Sequence, residues 1–162
     1  MKPAEVSTPS DREVLVKRSF DAPVNLVWQA YTDPALMRRW LTAMPGWTMP
    51  VCDMATHVGG KYRWRWRSED GQEFGFTGEM LEVALHSKIV HTQIFDPGDM
   101  GGSMGGEPSI ITVTFNETDG ITNVATSIKY ASKEDRDAAM STGMTDGMEM
   151  SYQALDGVLA EG

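Results

Sequence analysis

The chain has 162 residues, 41% hydrophobic and 23% charged, which suits one globular domain with a substantial core. Its net charge of −9 disfavours nucleic acid and anionic membranes as partners, because both need a positively charged surface. One cysteine excludes an intramolecular disulfide, and no apolar run approaches the about 20 residues of a membrane span. The start of the chain lacks the apolar core of a signal peptide, so we expect a cytoplasmic protein.

The first twelve residues are mostly small or polar and include two prolines. We predict a mobile tail over 1–12, followed by a single domain over 13–162. Residues 13–20 are rich in valine and leucine and alternate imperfectly, which predicts a first strand.

Two short helices are predicted next. Asp21 is expected to cap the first, with Pro23 in its opening turn and apolar residues at helical spacing up to Tyr31. Asp33-Pro34 repeats the start signal for a second helix that ends near Leu41.

A run of strands separated by turn residues follows. Residues 61–67 alternate most clearly, with aromatic side chains on one face and basic ones on the other. Short turns between consecutive strands imply antiparallel pairing. Pro50 indicates an edge or a bulge in the strand that contains it. The predicted strands of this run are 48–54, 61–67, 73–83, 88–95, 109–115 and 121–130.

The segment Asp96 to Pro108 contains five glycines, and we expect it to form a flexible flap at one end of any ligand space. Met100 and Met104 would then close over a ligand; a connector without a role is the alternative. Ser132 is expected to cap a short helix after the last strand. Residues 142–160 form the last predicted element, a long amphipathic helix whose apolar face must be buried against the sheet.

This order of elements predicts an α+β fold with a seven-stranded antiparallel sheet curled around a long C-terminal helix. Several short segments strengthen that prediction, and together they span most of the chain. They are Arg18-Ser19-Phe20-Asp21-Ala22-Pro23, residues 27–34, Leu36-Met37-Arg38-Arg39-Trp40, Gly59-Gly60-Lys61-Tyr62, residues 78–83, Ile89-Val90-His91-Thr92 and Thr142-Gly143-Met144.

In these segments the chain resembles the START-like helix-grip (SRPBCC) superfamily, and within it the bacterial stand-alone proteins similar to the activator of Hsp90 ATPase. The resemblance implies an apolar cavity between sheet and helix, but no single function, because members bind lipids, polyketides or hormones and some catalyse cyclisations. Eukaryotic co-chaperones carry a separate N-terminal domain that contacts Hsp90. Residues 1–12 cannot supply it, so we do not expect an Hsp90 interaction.

Aromatic side chains and methionines are the main candidates for lining such a cavity; plain core packing is the alternative for each of them. Trp64, Trp66 and Tyr152 are the preferred candidates, because the first two share the apolar face of the clearest strand and Tyr152 lies in the middle of the long helix. The full candidate set is Trp28, Trp40, Tyr62, Trp64, Trp66, Phe76, His91, Gln93, Phe95, Met144, Met148 and Tyr152.

His91 and Gln93 depend on the register of their strand. If Ile89, His91 and Gln93 face inward, polar groups enter the cavity; if the opposite face is buried, they are in solvent. Cys52 is expected to be a buried apolar residue, and His57 and His86 to be exposed.

The favoured function is therefore binding of a small, largely apolar molecule. An enzyme of the cyclase or hydrolase type, which would use His91, Gln93 and Tyr152, is the first alternative, and a protein-interaction module is the second. We name no catalytic residue, expect neither metal nor cofactor, and leave a homodimer open.

Overall fold

The structure is a computed structural model that describes residues 2–41, 45–96 and 108–161. Within these residues all strands form one antiparallel sheet in the order β1-β2-β8-β7-β6-β5-β4-β3. The strands are β1 (Glu5–Ser7), β2 (Glu13–Phe20), β3 (Trp47–Met54), β4 (Lys61–Ser68), β5 (Glu73–Ala84), β6 (Lys88–Asp96), β7 (Ser109–Thr118) and β8 (Ile121–Lys129). The helices are α1 (Val24–Thr32), α2 (Pro34–Trp40), α3 (Lys133–Ser141) and α4 (Met144–Ala160).

The sheet has eight strands rather than the predicted seven, because part of the expected tail pairs with the domain. Glu5 lies opposite Lys17 and Ser7 opposite Leu15, so β1 extends the sheet beyond β2. The outer edge of β2 presents unpaired backbone groups, which an extended segment close by in the chain can satisfy. The prediction of a mobile tail therefore does not describe residues 5–7.

Both short helices are present between β2 and β3, but the start of the first differs from the prediction. Pro23 is the residue before α1 rather than part of its first turn, and Asp21 does not cap the helix. Instead the Val24 N–H donates to the Glu117 carboxylate at 2.7 Å, which the sequence pattern did not indicate. Asp33 does cap α2, where it accepts from the Ala35 N–H at 3.0 Å.

Strand register decides which residues face the interior. Met80 on β5 pairs with His91, which pairs with Ile111, which in turn pairs with Ile128 on β8. All four are buried, so this row crosses the inner face of the sheet.

Two irregularities adjust the register. The pairing of β5 with β6 shifts between Met80 and Glu82, which leaves Leu81 exposed in a bulge. The pairing of β3 with β4 shifts between Thr48 and Val51, where Pro50 lies on the edge strand as its sequence indicated.

The long helix α4 closes the domain. Ser132 caps α3 as predicted, and Gly143 adopts a left-handed conformation (φ 79°) that turns the chain from α3 into α4. The backbone of α4 packs chiefly against α2, with smaller contacts on α3, α1 and β2. Nearly all of the predicted flap, including Met100 and Met104, falls on residues 97–107, which lie outside the described residues.

Candidate functional site

The inner faces of β4, β5 and β6 carry a continuous group of aromatic rings. Tyr62, Trp64 and Trp66 alternate inward along β4, as predicted. The Trp64 ring lies 4.7 Å from that of Tyr62 and 6.4 Å from that of Trp66, measured between ring centroids. Phe76 and Phe95 continue the group across the sheet, with centroids 5.6 Å apart. We call the following residues the aromatic wall: Tyr62, Trp64, Trp66, Phe76, His91 and Phe95.

One part of the aromatic wall is closed by packing, and a neighbouring part is open to solvent. The Trp66 indole N–H donates to the Leu41 carbonyl at 3.0 Å, and its ring stacks on Phe74 at 5.4 Å. Phe95 is 42% exposed, although it faces the same side of the sheet as Phe76. The aromatic wall therefore reaches from the core beneath α2 to the solvent-facing end of β6.

Gly78 lets Tyr62 cross β5 and reach the next strand. Tyr62 lies opposite Gly78, and its hydroxyl donates to the Thr92 carbonyl on β6 at 2.6 Å. A Cβ atom at position 78 would lie 2.1 Å from the Thr92 oxygen and 2.5 Å from the Tyr62 ring. Only glycine allows this close approach. Burial raises the pKa of Tyr62 well above its usual value, so its hydroxyl stays protonated and donates.

His91 faces inward, which settles the question that the sequence left open. The residue is 5% exposed, and the centroid of its ring lies 4.8 Å from that of Tyr62 and 6.3 Å from that of Trp64. Nδ1 lies 2.9 Å from the Thr92 carbonyl oxygen and 3.1 Å from the Tyr62 hydroxyl. Burial lowers the pKa of His91, against an opposing effect of the Thr92 carbonyl, so the imidazole is neutral at pH 7.

Two polar atoms of the aromatic wall have no hydrogen-bond partner among the described residues. One is the Trp64 indole nitrogen, which is buried although the Trp64 ring is partly exposed. The other is Nε2 of His91, since both hydrogen-bond contacts of that ring are made by Nδ1. Gln93, on the same face and half-buried, adds an amide beside them.

The predicted helix residues lie nearer the other half of the sheet. The Tyr152 ring meets Phe20 of β2 edge-on at 5.6 Å, and the Arg18 guanidinium lies 5.9 Å from its centroid. Met144 accepts a hydrogen bond from the Tyr130 hydroxyl at 3.3 Å. Met148 is half-buried against the main core. Tyr152 therefore faces β2 and does not share the ring contacts of Trp64 and Trp66.

Trp28 and Trp40 serve the packing of the two short helices. Trp28 contacts Phe115 of β7 with centroids 5.2 Å apart. The Trp40 indole donates to the Ala30 carbonyl at 2.9 Å, and its ring lies 4.9 Å from that of Tyr31. Both tryptophans are buried, so core packing, the alternative that the sequence left open, describes their contacts.

A buried ion cluster, which the sequence analysis missed, joins α4 to β2. Arg18 lies on the inner face and is 4% exposed; it pairs with Glu149 at 3.3 Å and with Asp156 at 2.8 Å. Glu149 also accepts from the Ala4 N–H at 2.8 Å. The signal was present in the sequence, because Arg18 occupies an inward position in the alternation from Val14 to Phe20.

Other buried hydroxyls lie under α4. Burial raises the pKa of Tyr152 to about 12, while the hydroxyls of Thr126 and Tyr31 act in the opposite direction. Burial also raises the pKa of Tyr31, whose hydroxyl forms no well-oriented hydrogen bond among the described residues. The hydroxyls of Tyr152, Tyr31 and Thr126 therefore belong to the half of the interior that α4 covers.

A separate groove of about 320 Å³ lies on the surface between α1, α2 and the end of α4. The Arg39–Glu161 ion pair, at 2.5 Å, is part of its lining. None of its lining residues belongs to the aromatic wall. We therefore do not place the candidate site there.

The described residues offer neither a metal-binding cluster nor a membrane-spanning helix. No group of three or more His, Cys, Asp or Glu side chains among them is arranged to hold a metal ion. None of the described helices combines the length and apolar character needed to cross a membrane. Cys52 is buried, as expected, and burial raises the pKa of its thiol.

Solved structures match almost the whole chain. A protein from Rhodobacter sphaeroides has 29% sequence identity and a TM-score of 0.90, with 99% of each chain covered. A protein from Mycobacterium smegmatis has 24% identity and a TM-score of 0.85, with 97% of each chain covered. A protein from Nitrosomonas europaea has 20% identity and a TM-score of 0.80, covering 95% of this chain and 97% of its own. The last two show a common fold only.

An antiparallel sheet wrapped around a long C-terminal helix defines the chain as a helix-grip protein. The family described as "Activator of Hsp90 ATPase homolog 1-like protein" matches residues 21–160, so the chain belongs to that family. The family and fold expected from the sequence are both confirmed. A search of the curated proteins gave no significant match.

Proposed function

We propose that this protein binds a small, largely apolar molecule between the aromatic wall and α4. The single observation that carries the proposal is an aromatic surface with polar atoms that have no hydrogen-bond partner among the described residues. Ligand sites are typically apolar surfaces with a few polar groups that orient the ligand. The Trp64 N–H and Nε2 of His91 are such groups.

The hydrogen bonding of the buried tryptophans supports a binding site at the aromatic wall. A fully structural aromatic cluster normally satisfies its buried donors, as Trp40 and Trp66 do through the carbonyls of Ala30 and Leu41. Trp64 lies between Trp66 and His91 but has no such partner among the described residues. The helix-grip fold is also one whose members hold ligands between sheet and helix, which agrees with the proposal.

Fluorescence titration with N-phenyl-1-naphthylamine, a neutral apolar dye that brightens away from water, tests the proposal. Saturable binding with a stoichiometry of one is expected, together with a rise in melting temperature because the dye binds the folded state. Gln93→Phe, which adds bulk beside the aromatic wall, should weaken dye binding by about tenfold or more.

Arg63→Phe is the matched control. Arg63 lies on the outer face of β4 and is exposed, so the same new side chain there should leave the affinity for the dye unchanged. Equal affinities in Gln93→Phe and the wild type, or the absence of saturable binding, would contradict the proposal.

Acid–base catalysis is the second candidate function, and the buried, neutral His91 is the observation that favours it. Nε2 would act as the base. Tyr152 does not join His91, so the three-residue set expected from the sequence is reduced to His91 and Gln93. Incubation with a panel of neutral aryl esters tests this function: turnover that His91→Asn abolishes would support it, and equal turnover in both proteins would refute it.

A further inference from the structure

We propose that the ligand carries an uncharged hydroxyl group, which accepts a hydrogen bond from the Trp64 indole N–H and donates one to Nε2 of His91. This inference rests on the proposed function and specifies the chemistry of its ligand. It follows from the protonation of the two rings, their separation and the charges around them.

The Trp64 nitrogen can only donate. An indole N–H has no lone pair available for hydrogen bonding, and this one is buried without an acceptor among the described residues. Leaving a buried donor unpaired is unfavourable, because the donor has lost its hydrogen bond to water. A ligand that brings an acceptor to this position therefore gains affinity by removing that cost.

The His91 Nε2 can only accept. The Thr92 carbonyl oxygen lies 2.9 Å from Nδ1 and has no proton, so Nδ1 must carry the hydrogen. The neutral ring then has its lone pair on Nε2. Because the two nitrogens lie on different sides of the imidazole, Nδ1 faces the sheet backbone and Nε2 faces away from it.

A hydroxyl group is the smallest group that satisfies both atoms at once. The centroids of Trp64 and His91 are 6.3 Å apart with the rings inclined at 73°, so the two rings are neighbours on the aromatic wall. A hydroxyl both donates and accepts. An ether or a carboxylate has acceptors only, and an ammonium group has donors only, so each leaves one of the two rings unpaired.

The surrounding charges disfavour an ionised head group. Arg18 is the only buried side chain with a full charge within the described parts of the chain, and it is already paired with Glu149 and Asp156. A carboxylate at the aromatic wall would be taken out of water without a free positive charge beside it, which is strongly unfavourable. A neutral hydroxyl has no such cost.

Isothermal titration calorimetry with three probes of the same ring system tests the inference: 2-naphthol, 2-methoxynaphthalene and 2-naphthoate. We expect 2-naphthol to bind about tenfold more tightly than 2-methoxynaphthalene, which keeps the acceptor but lacks the donor. 2-Naphthoate should bind more weakly than 2-naphthol.

Three variants identify the atoms responsible. His91→Phe should make the affinities for 2-naphthol and 2-methoxynaphthalene nearly equal, because the acceptor is gone. Trp64→Phe should weaken both, because both use the indole N–H. Trp66→Phe is the matched control: its N–H already donates to Leu41, so the ratio of the two affinities should not change. If His91→Phe does not fold, the ratio of the two affinities in the wild type tests the contact to His91, and Trp64→Phe tests the contact to the indole N–H.

The outcomes separate this inference from the proposed function. If N-phenyl-1-naphthylamine binds but 2-naphthol and 2-methoxynaphthalene bind equally, the inference that the ligand carries a hydroxyl group is refuted. The proposed binding site is then still supported. Tighter binding of 2-naphthoate would refute the uncharged head group. If neither the dye nor any of the three probes binds, the proposed function fails and this inference fails with it.

Discussion

At the scale of single residues, the organisation of the aromatic wall depends on a glycine, Gly78, which has no side chain. Gly78 leaves the space through which Tyr62 reaches Thr92, and the same carbonyl holds His91 through Nδ1. The conformations of Tyr62 and His91 are therefore linked through one backbone oxygen. The position of Nε2, and with it the proposed polar contact, depends on this arrangement.

Gly78→Ala should destabilise the protein by about 1–3 kcal/mol, because the new methyl group would collide with the Thr92 oxygen and the Tyr62 ring. Urea unfolding measures the change, and chemical shifts of the His91 ring should move in the same variant. Gly147→Ala is the control: this glycine lies within α4 with nothing near its added Cβ, so that variant should gain up to about 1 kcal/mol. Equal effects of the two substitutions would contradict the role of Gly78.

At the scale of elements, the contact between α4 and β2 combines packing with charge. Arg18 lies under the helix and forms bonds to Glu149 and Asp156, two turns apart on α4. Ala4 joins the same cluster, so the N-terminal segment that forms β1 is tied to the helix as well as to the sheet. These bonds fix the position of α4 relative to the half of the sheet that it covers.

Glu149 should make the stability of this contact depend on acid pH. Burial would raise its pKa, but the hydrogen bonds from Arg18, Ala4 and Gln153 outweigh that effect and lower the pKa below the ordinary 4.5. A lowered folded-state pKa contributes stability that is full above about pH 4.5 and is lost as the pH falls through the folded value. Glu149→Gln should lower stability by about 1 kcal/mol at pH 7 and make its decline below pH 4.5 shallower.

Urea unfolding at a series of pH values measures both effects. Asp137→Asn is the control, because Asp137 pairs with Lys133 on the surface of α3 and exposed pairs are screened by solvent. It should unfold much like the wild type throughout. A Glu149→Gln variant with the same acid profile as the wild type would show that the cluster does not stabilise the fold.

At the scale of the whole molecule, all four tyrosines of the chain are buried or partly buried: Tyr62 and Tyr152 lie in the core, and Tyr31 and Tyr130 pack against it. Burial is the first cause that raises the pKa of Tyr31, Tyr62, Tyr130 and Tyr152. They come from α1, β4, the residue that follows β8, and α4, so ionisation of their hydroxyls should accompany loss of the packing between the sheet and the helices.

Alkaline pH should therefore unfold the protein cooperatively. A tyrosine whose folded pKa is raised contributes stability that is present below the unfolded value of 10 and is lost as the pH rises towards the folded value. Near-ultraviolet absorbance should show little tyrosinate at pH 10.5 and a steep rise together with the loss of helical circular dichroism. Gradual ionisation at the ordinary pKa, with the fold intact, would contradict this prediction.

The sequence by itself determined the order of elements from β2 onwards, the family and the inner face of β4, because these depend on periodicity and local turn chemistry. Alternation from Lys61 to Arg67 is enough to place three aromatic rings on one side of a strand. The spacing of apolar residues from Met144 to Leu159 likewise predicted α4.

Tertiary structure decided the features that depend on which strands become neighbours. The inward position of His91 follows from its pairing with Met80 and Ile111, which no pattern within β6 reveals. The bonds from Arg18 to α4 join residues more than 130 positions apart, and β1 exists only because the edge of β2 offers backbone partners. Local sequence sets which face of an element is apolar, but long-range pairing sets what each polar group on that face meets.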